Sequence, residues 1–104
     1  MSTVSTKSAQ FVEDTIASDK VVIFSKTSCP YCTMAKEQFK KLNQKFTVID
    51  LETRDDAGEI QDVLGEMTGA RTVPRVFVNG NFIGGGTDVQ KMYKDGSLKK
   101  LLEE

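Results

Sequence analysis

Residues 21–32 have the sequence VVIFSKTSCPYC, and this stretch decides the fold. Val21 to Phe24 is a continuous apolar run, mostly β-branched and of strand length, which is typical of a strand buried on both faces at the centre of a sheet. Thr27 to Pro30 then breaks the apolar pattern. A helix is predicted next, because apolar residues recur with helical spacing at Met34, Ala35, Phe39 and Leu42.

The segments on either side of this unit extend it into a sheet. Phe46 to Leu51 is predicted as a second strand, parallel to the first with a right-handed crossover. Upstream, Val4, Phe11, Val12 and Ile16 are spaced as on one face of a helix, which predicts an amphipathic helix over about residues 4–18.

The second half of the chain predicts one more helix and a hairpin. The helix covers about residues 56–68, with Gly69 in the position of a helix-ending glycine. Arg75 to Val78 and Phe82 to Gly84 are predicted strands. Asn79-Gly80 between them is a strong hairpin signal.

Two short helices are predicted at the end, around Val89 to Tyr93 and Leu98 to Leu102. The order of elements indicates an α/β fold, a mixed sheet with helices on its faces. We expect residues 1–104 to form one domain, a size typical of single domains.

Composition excludes several functional classes. The chain has 14 basic and 15 acidic residues and a net charge of −1, without the basic excess of a nucleic-acid binder. It contains no histidine, which excludes Cys–His and Ser–His–Asp catalysis and His-ligated metal sites. The longest apolar run, Val21 to Phe24, is far shorter than a membrane span. Met1 to Gln10 is polar and resembles no signal peptide.

The two cysteines, Cys29 and Cys32, are poorly placed to form a disulfide that stabilises the fold. A bridge between them would close a very short loop and contribute about 2 kcal/mol on the chain-entropy estimate. It would hold no distant parts of the chain together. We therefore expect a reducing compartment, the cytoplasm, where a close cysteine pair is typically catalytic or metal-binding.

The spacing of the pair suits redox chemistry. Residues i and i+3 of a helix lie about 5–6 Å apart at Cβ, so a disulfide can open and close with little backbone movement. Pro30 suits a first helical turn, and the helix N-terminus favours a negatively charged Cys29. Two alternatives remain at this point, inert buried thiols and half of a zinc site. Structural zinc, however, takes four ligands.

Three further features are candidates, each with a simpler explanation. Lys26 places a positive charge near the thiols, or is a solvated lysine at a strand end. Thr72-Val73-Pro74 precedes a strand, where spacing alone predicts an ordinary trans peptide. The segment Gly84-Gly85-Gly86-Thr87-Asp88 allows a ligand to approach a helix N-terminus, or is only a turn.

Together these motifs resemble the dithiol glutaredoxins of the thioredoxin superfamily. The resemblance covers nearly the whole chain and is carried by KTSCPYC at 26–32, TGARTVP at 68–74 and FIGGGTD at 82–88. It implies the thioredoxin fold, with a four-stranded mixed β-sheet flanked by helices on both faces. It also implies a cis peptide before Pro74, and glutathione as reductant.

The resemblance also implies roles for individual residues. Cys29 would be the nucleophile and Cys32 the resolving thiol, with Tyr31 beside the reacting sulfur. Glutathione would be bound by Lys26, Tyr31, Arg71, Thr72, Val73, Pro74, Gly86, Thr87 and Asp88.

Within that set, each part of glutathione has expected partners. Lys26 and Arg71 would face the glycine carboxylate, and the Val73 backbone would pair with the cysteinyl part. Thr87 and Asp88 would hold the γ-glutamyl end. Ala70, where many relatives have Gln, departs from the usual pattern, as does Thr87, where many have Asp or Ser.

The expected activity is glutathione-dependent reduction of protein–glutathione mixed disulfides and protein disulfides. The expected protein is a monomer with no tightly bound cofactor and no metal, nucleic-acid or membrane partner. Two alternatives are kept. One is an iron–sulfur module sharing a cluster between protomers, although relatives of that kind usually lack a proline in the place of Pro30. The other is a redox-regulated binding protein without turnover.

Overall fold

The computed structural model describes residues 6–104, so Val4 of the first predicted helix lies outside the described residues. The elements are α1 (Thr6–Ser18), β1 (Val21–Ser25), α2 (Pro30–Lys41), β2 (Thr47–Asp50), α3 (Ala57–Thr68), β3 (Arg75–Val78), β4 (Asn81–Gly84), α4 (Gly86–Asp95) and α5 (Ser97–Leu102). A turn of 3₁₀ helix, Leu51–Thr53, follows β2. None of these helices has the length and apolar character needed to cross a membrane.

The four strands form one mixed sheet in the order β2-β1-β3-β4. Strand β1 is parallel to β2 and antiparallel to β3, and β3 is antiparallel to β4. All five residues of β1 are buried. The central position of β1 and the parallel strand–helix–strand unit are confirmed.

The predicted bounds of the second strand are wrong by one residue at each end: Phe46 precedes β2, and Leu51 belongs to the 3₁₀ turn. The side chain of Asp50 accepts a hydrogen bond from the backbone N–H of Glu52 at 3.0 Å. This local bond caps the turn and competes with continued strand pairing. Alternation of apolar residues carries no information on such a cap.

The core lies in two layers, one on each face of the sheet. Val22 and Phe24 of β1 face α1 and α3 and pack with Ile60, whereas Ile23 faces α2, α4 and α5 and packs with Phe39. Burying a large apolar side chain contributes about 1.5–3 kcal/mol. Both faces of β1 are therefore stabilised by packing, as its unbroken apolar run predicts.

Glycines end the elements where the sequence predicts. Gly69 ends α3 with φ of 87°, in the left-handed conformation. At the β3–β4 turn Asn79 has φ of 52° and Gly80 has φ of 82°, and two positive φ angles suit the twist of a hairpin. Both predictions are confirmed.

Helix α4 starts in direct contact with the start of α2. A Cβ atom placed on Gly86 would lie only 2.5 Å from the backbone oxygen of Tyr31. Only a residue without a side chain allows this approach. The contact places the N-terminus of α4 beside the segment that carries the cysteines.

Candidate functional site

The cysteine pair occupies the N-terminus of α2, directly after the central strand. Cys29 is the N-cap residue, and its Sγ accepts a hydrogen bond from the backbone N–H of Cys32 at 3.4 Å. Both thiols are free; Cys29 is partly exposed and Cys32 is buried. An incoming disulfide can therefore reach Cys29 before Cys32.

The buried position of Cys32 changes its acidity. Burial raises the pKa of the Cys32 thiol, while hydrogen bonds from the Lys26 backbone and the Ser25 hydroxyl partly oppose that shift. A raised pKa leaves less thiolate at neutral pH, and the thiolate is the reactive form. Cys32 is therefore suited to react second.

Alkylation should separate the two thiols. With iodoacetamide at neutral pH, we expect the label on Cys29 first, and labelling of Cys32 to accelerate as the pH rises toward its raised pKa. Peptide mass spectrometry across a pH series measures both rates, with Cys32→Ser as the single-site control. Equal rates at neutral pH would contradict the order.

The peptide Val73–Pro74 lies opposite Cys29 and is cis. The trans expectation drawn from spacing alone is wrong, and the cis peptide implied by the resemblance is confirmed. The Cys29 thiol donates to the carbonyl oxygen of Val73 at 3.7 Å. The loop before β3 therefore forms the second wall of the thiol site.

An open groove of about 430 Å³ lies beside this wall. It is lined by Tyr31, Thr72, Val73, Pro74, Arg75, Gly85, Gly86, Thr87 and Asp88. Most of the implied glutathione-binding residues meet in it. A larger depression of about 590 Å³ is lined by residues 16–20, 79 and 80 at the opposite end of β1, away from the thiols. The groove beside the thiols is the better candidate for the chemistry.

The end of the groove formed by α4 offers both hydrogen-bond donors and a negative charge. Thr87 and Asp88 are exposed in the first turn of α4. The Asp88 carboxylate accepts a hydrogen bond from the backbone N–H of Gly85 at 2.9 Å. A helix N-terminus favours anions, whereas the carboxylate favours a cation, so this end suits a ligand carrying both charges.

The two basic residues implied for glutathione do not line the groove. Arg71 turns toward α3, where its Nε lies 2.7 Å from Asp62 and its Nη2 donates to the carbonyl of Gly58. The Arg71–Asp62 ion pair is exposed, and exposed ion pairs contribute about 0–1 kcal/mol to the free energy of unfolding. The Lys26 carbonyl accepts the backbone N–H of Cys29 at 3.3 Å.

Two residues at the site carried no signal in the sequence. Arg75 lines the groove. Glu52 accepts hydrogen bonds from the hydroxyls of Thr27 and Ser28 and from the Ser28 backbone N–H, and these bonds, led by the Ser28 hydroxyl, lower the pKa of Glu52. Glu52 therefore ties the turn after β2 to the loop before Cys29.

No group of three or more Cys, Asp or Glu side chains among residues 6–104 is arranged to hold a metal ion.

Known proteins similar to this chain are glutaredoxins. Residues 21–83 match the family model described as Glutaredoxin. The chain is 50% identical over 93 residues to "Glutaredoxin-2, mitochondrial" of Pongo abelii, covering 89% of this chain and 58% of that protein. It is 50% identical over 101 residues to "Glutaredoxin-C4" of Arabidopsis thaliana, covering 97% and 75%.

Solved structures of glutaredoxins are also similar to this chain. The crystal structure of a buckwheat glutaredoxin–glutathione complex aligns with a TM-score of 0.89 and 37% identity, covering 93% of this chain and 88% of that one. The chain spans less than two thirds of the mitochondrial relative's length, 58%, and most of the buckwheat protein's.

Proposed function

The chain belongs to the glutaredoxin family, and from this we propose that it is a glutathione-dependent thiol–disulfide oxidoreductase. The observation that carries the proposal is the groove, whose lining includes Val73 and Asp88. The partly exposed Cys29 lies beside the groove, and its thiol donates a hydrogen bond to the Val73 carbonyl oxygen. The buckwheat relative, solved as a glutathione complex, supports the ligand.

The proposed reaction on a protein–glutathione mixed disulfide needs one thiol. The Cys29 thiolate attacks the glutathione sulfur, the disulfide bond breaks, and the target protein leaves as a thiolate that takes up a proton. A second glutathione thiolate then attacks the Cys29–glutathione disulfide. Oxidised glutathione leaves, and Cys29 is restored.

A protein disulfide requires both cysteines. Cys29 attacks one sulfur and forms a mixed disulfide with the target. Cys32, three residues further along α2, then attacks Cys29, releasing the reduced target and forming the Cys29–Cys32 disulfide. Two glutathione molecules reduce that disulfide and leave as oxidised glutathione, so electrons pass from glutathione to the target.

Two measurements test the activity. A glutathionylated peptide is incubated with the protein and glutathione, and release of the free peptide is followed by chromatography. Incubation with oxidised glutathione should produce a glutathione adduct on Cys29, located by mass spectrometry. Absence of glutathione-dependent release together with absence of the adduct would overturn the proposed function.

Replacing Cys32 should separate the two activities. In Cys32→Ser, we expect reduction of glutathionylated peptide to persist, because that cycle uses only Cys29. Reduction of a protein disulfide by the two-thiol route should fall sharply. Both rates are measured on one preparation, and equal loss of both would contradict the division of roles.

Replacing Asp88 should weaken the use of glutathione. In Asp88→Ala the ammonium of the γ-glutamyl group loses its partner. Hydrogen bonds to charged groups contribute about 1.5–3 kcal/mol, and exposure of Asp88 places the effect near the lower end, about a tenfold rise in KM for glutathione.

The thermal midpoint serves as the control for that experiment, because Asp88 also accepts the Gly85 N–H. Asp88→Asn keeps an acceptor oxygen for this bond and should keep the midpoint, while its KM still rises. A lower midpoint with unchanged glutathione dependence would remove Asp88 from the binding site.

We also propose that the protein acts as a monomer without a resident cofactor. Pro30 at the first position of α2 supports this, because iron–sulfur-binding relatives usually have Gly or Ser there. Size-exclusion chromatography and the absorption spectrum of protein purified without oxygen test it. A coloured dimer would favour the iron–sulfur alternative.

For location we propose the cytoplasm. The support is chemical: the catalytic cycle requires Cys29 and Cys32 to be returned to free thiols, and a reducing compartment maintains them. Fractionation of cells followed by immunoblotting tests the location. Recovery in the mitochondrial fraction, the compartment in the names of several relatives, would contradict it.

A further inference from the structure

Arg75, the first residue of β3, holds its guanidinium in a fixed position at the groove. Nε donates to the carbonyl of Pro74 at 3.1 Å, Nη1 to the hydroxyl of Thr68 at 3.4 Å, and Nη2 to the hydroxyl of Thr72 at 3.3 Å. The cation also lies 4.9 Å from the centre of the Phe82 ring. A guanidinium has five N–H donors, so these bonds leave some free for a ligand.

This cation points toward the start of α4. A Cβ atom placed on Gly85 would lie 3.4 Å from Nη2 of Arg75 and 3.9 Å from Oδ2 of Asp88. Burial lowers the pKa of Arg75, and the charge of Asp88 opposes that shift. No direct ion pair joins these two described residues. The positive charge of Arg75 and the negative charge of Asp88 thus lie near each other at one end of the groove, and both remain available to a ligand.

We propose that Arg75 is a specificity-determining residue that binds the α-carboxylate of the γ-glutamyl group of glutathione. This rests on the proposed function and on the assignment of the neighbouring ammonium to Asp88. The γ-glutamyl end is a zwitterion whose ammonium and carboxylate groups are attached to one carbon atom, and the charges of Arg75 and Asp88 are complementary to them. A guanidinium suits a carboxylate because its planar N–H groups can form two parallel bonds.

Of the two arginines near Pro74, only Arg75 lines the groove. Arg71 is paired with Asp62 on α3 and does not line the groove. Arg75 does, and its supporting bonds restrict its rotamers before a ligand arrives. A preorganised side chain loses less conformational entropy on binding, so its contact should discriminate between ligands.

The test uses two peptides that differ in one charge. One carries glutathione in a mixed disulfide; the other carries 4-aminobutyryl-cysteinyl-glycine, the same tripeptide without the α-carboxylate. Each is mixed with reduced protein in the Cys32→Ser background, and the second-order rate of peptide release is measured without added reductant. We expect this background protein to prefer the glutathione peptide about tenfold, the value of one charged contact of about 1.4 kcal/mol.

Variants of the Cys32→Ser protein show which residue causes the preference for the glutathione peptide. Arg75→Gln should lose most of it, and Arg75→Lys should keep part. Arg54→Gln is the matched control, because Arg54 also stacks on a ring, 4.3 Å from the centre of Phe11, and lies outside the groove. That variant should keep the full preference.

A third peptide tests the role assigned to Asp88. It carries glutaryl-cysteinyl-glycine, which lacks the α-ammonium. Asp88→Asn should lose discrimination against this peptide while it keeps discrimination against the 4-aminobutyryl peptide. Arg75→Gln should behave in the opposite way.

The outcomes separate the inference from the function on which it rests. If Arg75→Gln keeps the preference, or slows all peptides equally with a lower thermal midpoint, Arg75 only supports the loop and the inference is overturned. If the Cys32→Ser protein releases the glutathione peptide but shows no preference, the inference alone fails. If it releases none, the proposed function fails as well.

Discussion

Cys29→Ser is expected to reduce glutathione-dependent turnover to background, the largest effect of any single substitution. The attacking group is a thiolate, and a serine hydroxyl in its place cannot form a disulfide with the substrate. Cys32 does not replace it, because Cys32 is buried and burial raises the pKa of its thiol. Release of free peptide from a glutathionylated peptide measures the loss.

The same variant should remain folded. Cys29 is the N-cap of α2, where its sulfur accepts the Cys32 N–H. Serine is among the preferred residues at that position, so we expect the thermal midpoint to be kept. Cys32→Ser is the control for the loss of a thiol. Turnover above background in Cys29→Ser, carried by an adduct on Cys32, would contradict the assignment of the nucleophile.

Gly86→Ala is expected to damage both stability and the groove. The new methyl group would lie 2.5 Å from the backbone oxygen of Tyr31 and 3.0 Å from its Cβ. The Tyr31 backbone oxygen belongs to helix α2 and cannot change position independently of the helix, so α4 must move away from α2. Overpacking of this kind costs about 1–3 kcal/mol, and each kcal/mol lowers the thermal midpoint of a domain of this size by about 4–8 °C.

Gly58→Ala is the matched control, since a Cβ atom there meets nothing within 4 Å. It should leave stability unchanged or raise it by about 0.4–1 kcal/mol, because alanine restricts the unfolded chain. In Gly86→Ala we also expect a higher KM for glutathione, since Thr87 and Asp88 move with α4. A wild-type midpoint and a wild-type KM in that variant would show that the approach of the two helices is not tight.

Local signals in the sequence predicted most of the fold. The unbroken apolar run predicted the buried strand β1, Gly69 the end of α3, and Asn79-Gly80 the hairpin. Each of these depends on residues close together in the chain. The end of β2 was missed because a side-chain cap at Asp50, rather than hydrophobic alternation, determines it.

The site was harder to predict wherever it depends on distant contacts. Glu52 reaches the loop before Cys29 from the turn after β2, and hydrophobic spacing in the sequence does not reveal this contact. Arg71 and Arg75 are basic residues on either side of Pro74, three residues before it and one after it, and only the tertiary structure shows which of them lines the groove. Asp62 draws the first toward α3, whereas Thr72 and Phe82 hold the second at the groove.

The position of β1 between β2 and β3 has a consequence for biosynthesis. The thiols belong to the first third of the chain, whereas the Val73 carbonyl and the α4 N-terminus come from its last third. A nascent chain emerging from the ribosome therefore displays both cysteines well before the groove can close around them. During that interval the groove cannot select a partner for Cys29, and the ratio of reduced to oxidised glutathione around the nascent chain influences whether Cys29 stays a free thiol.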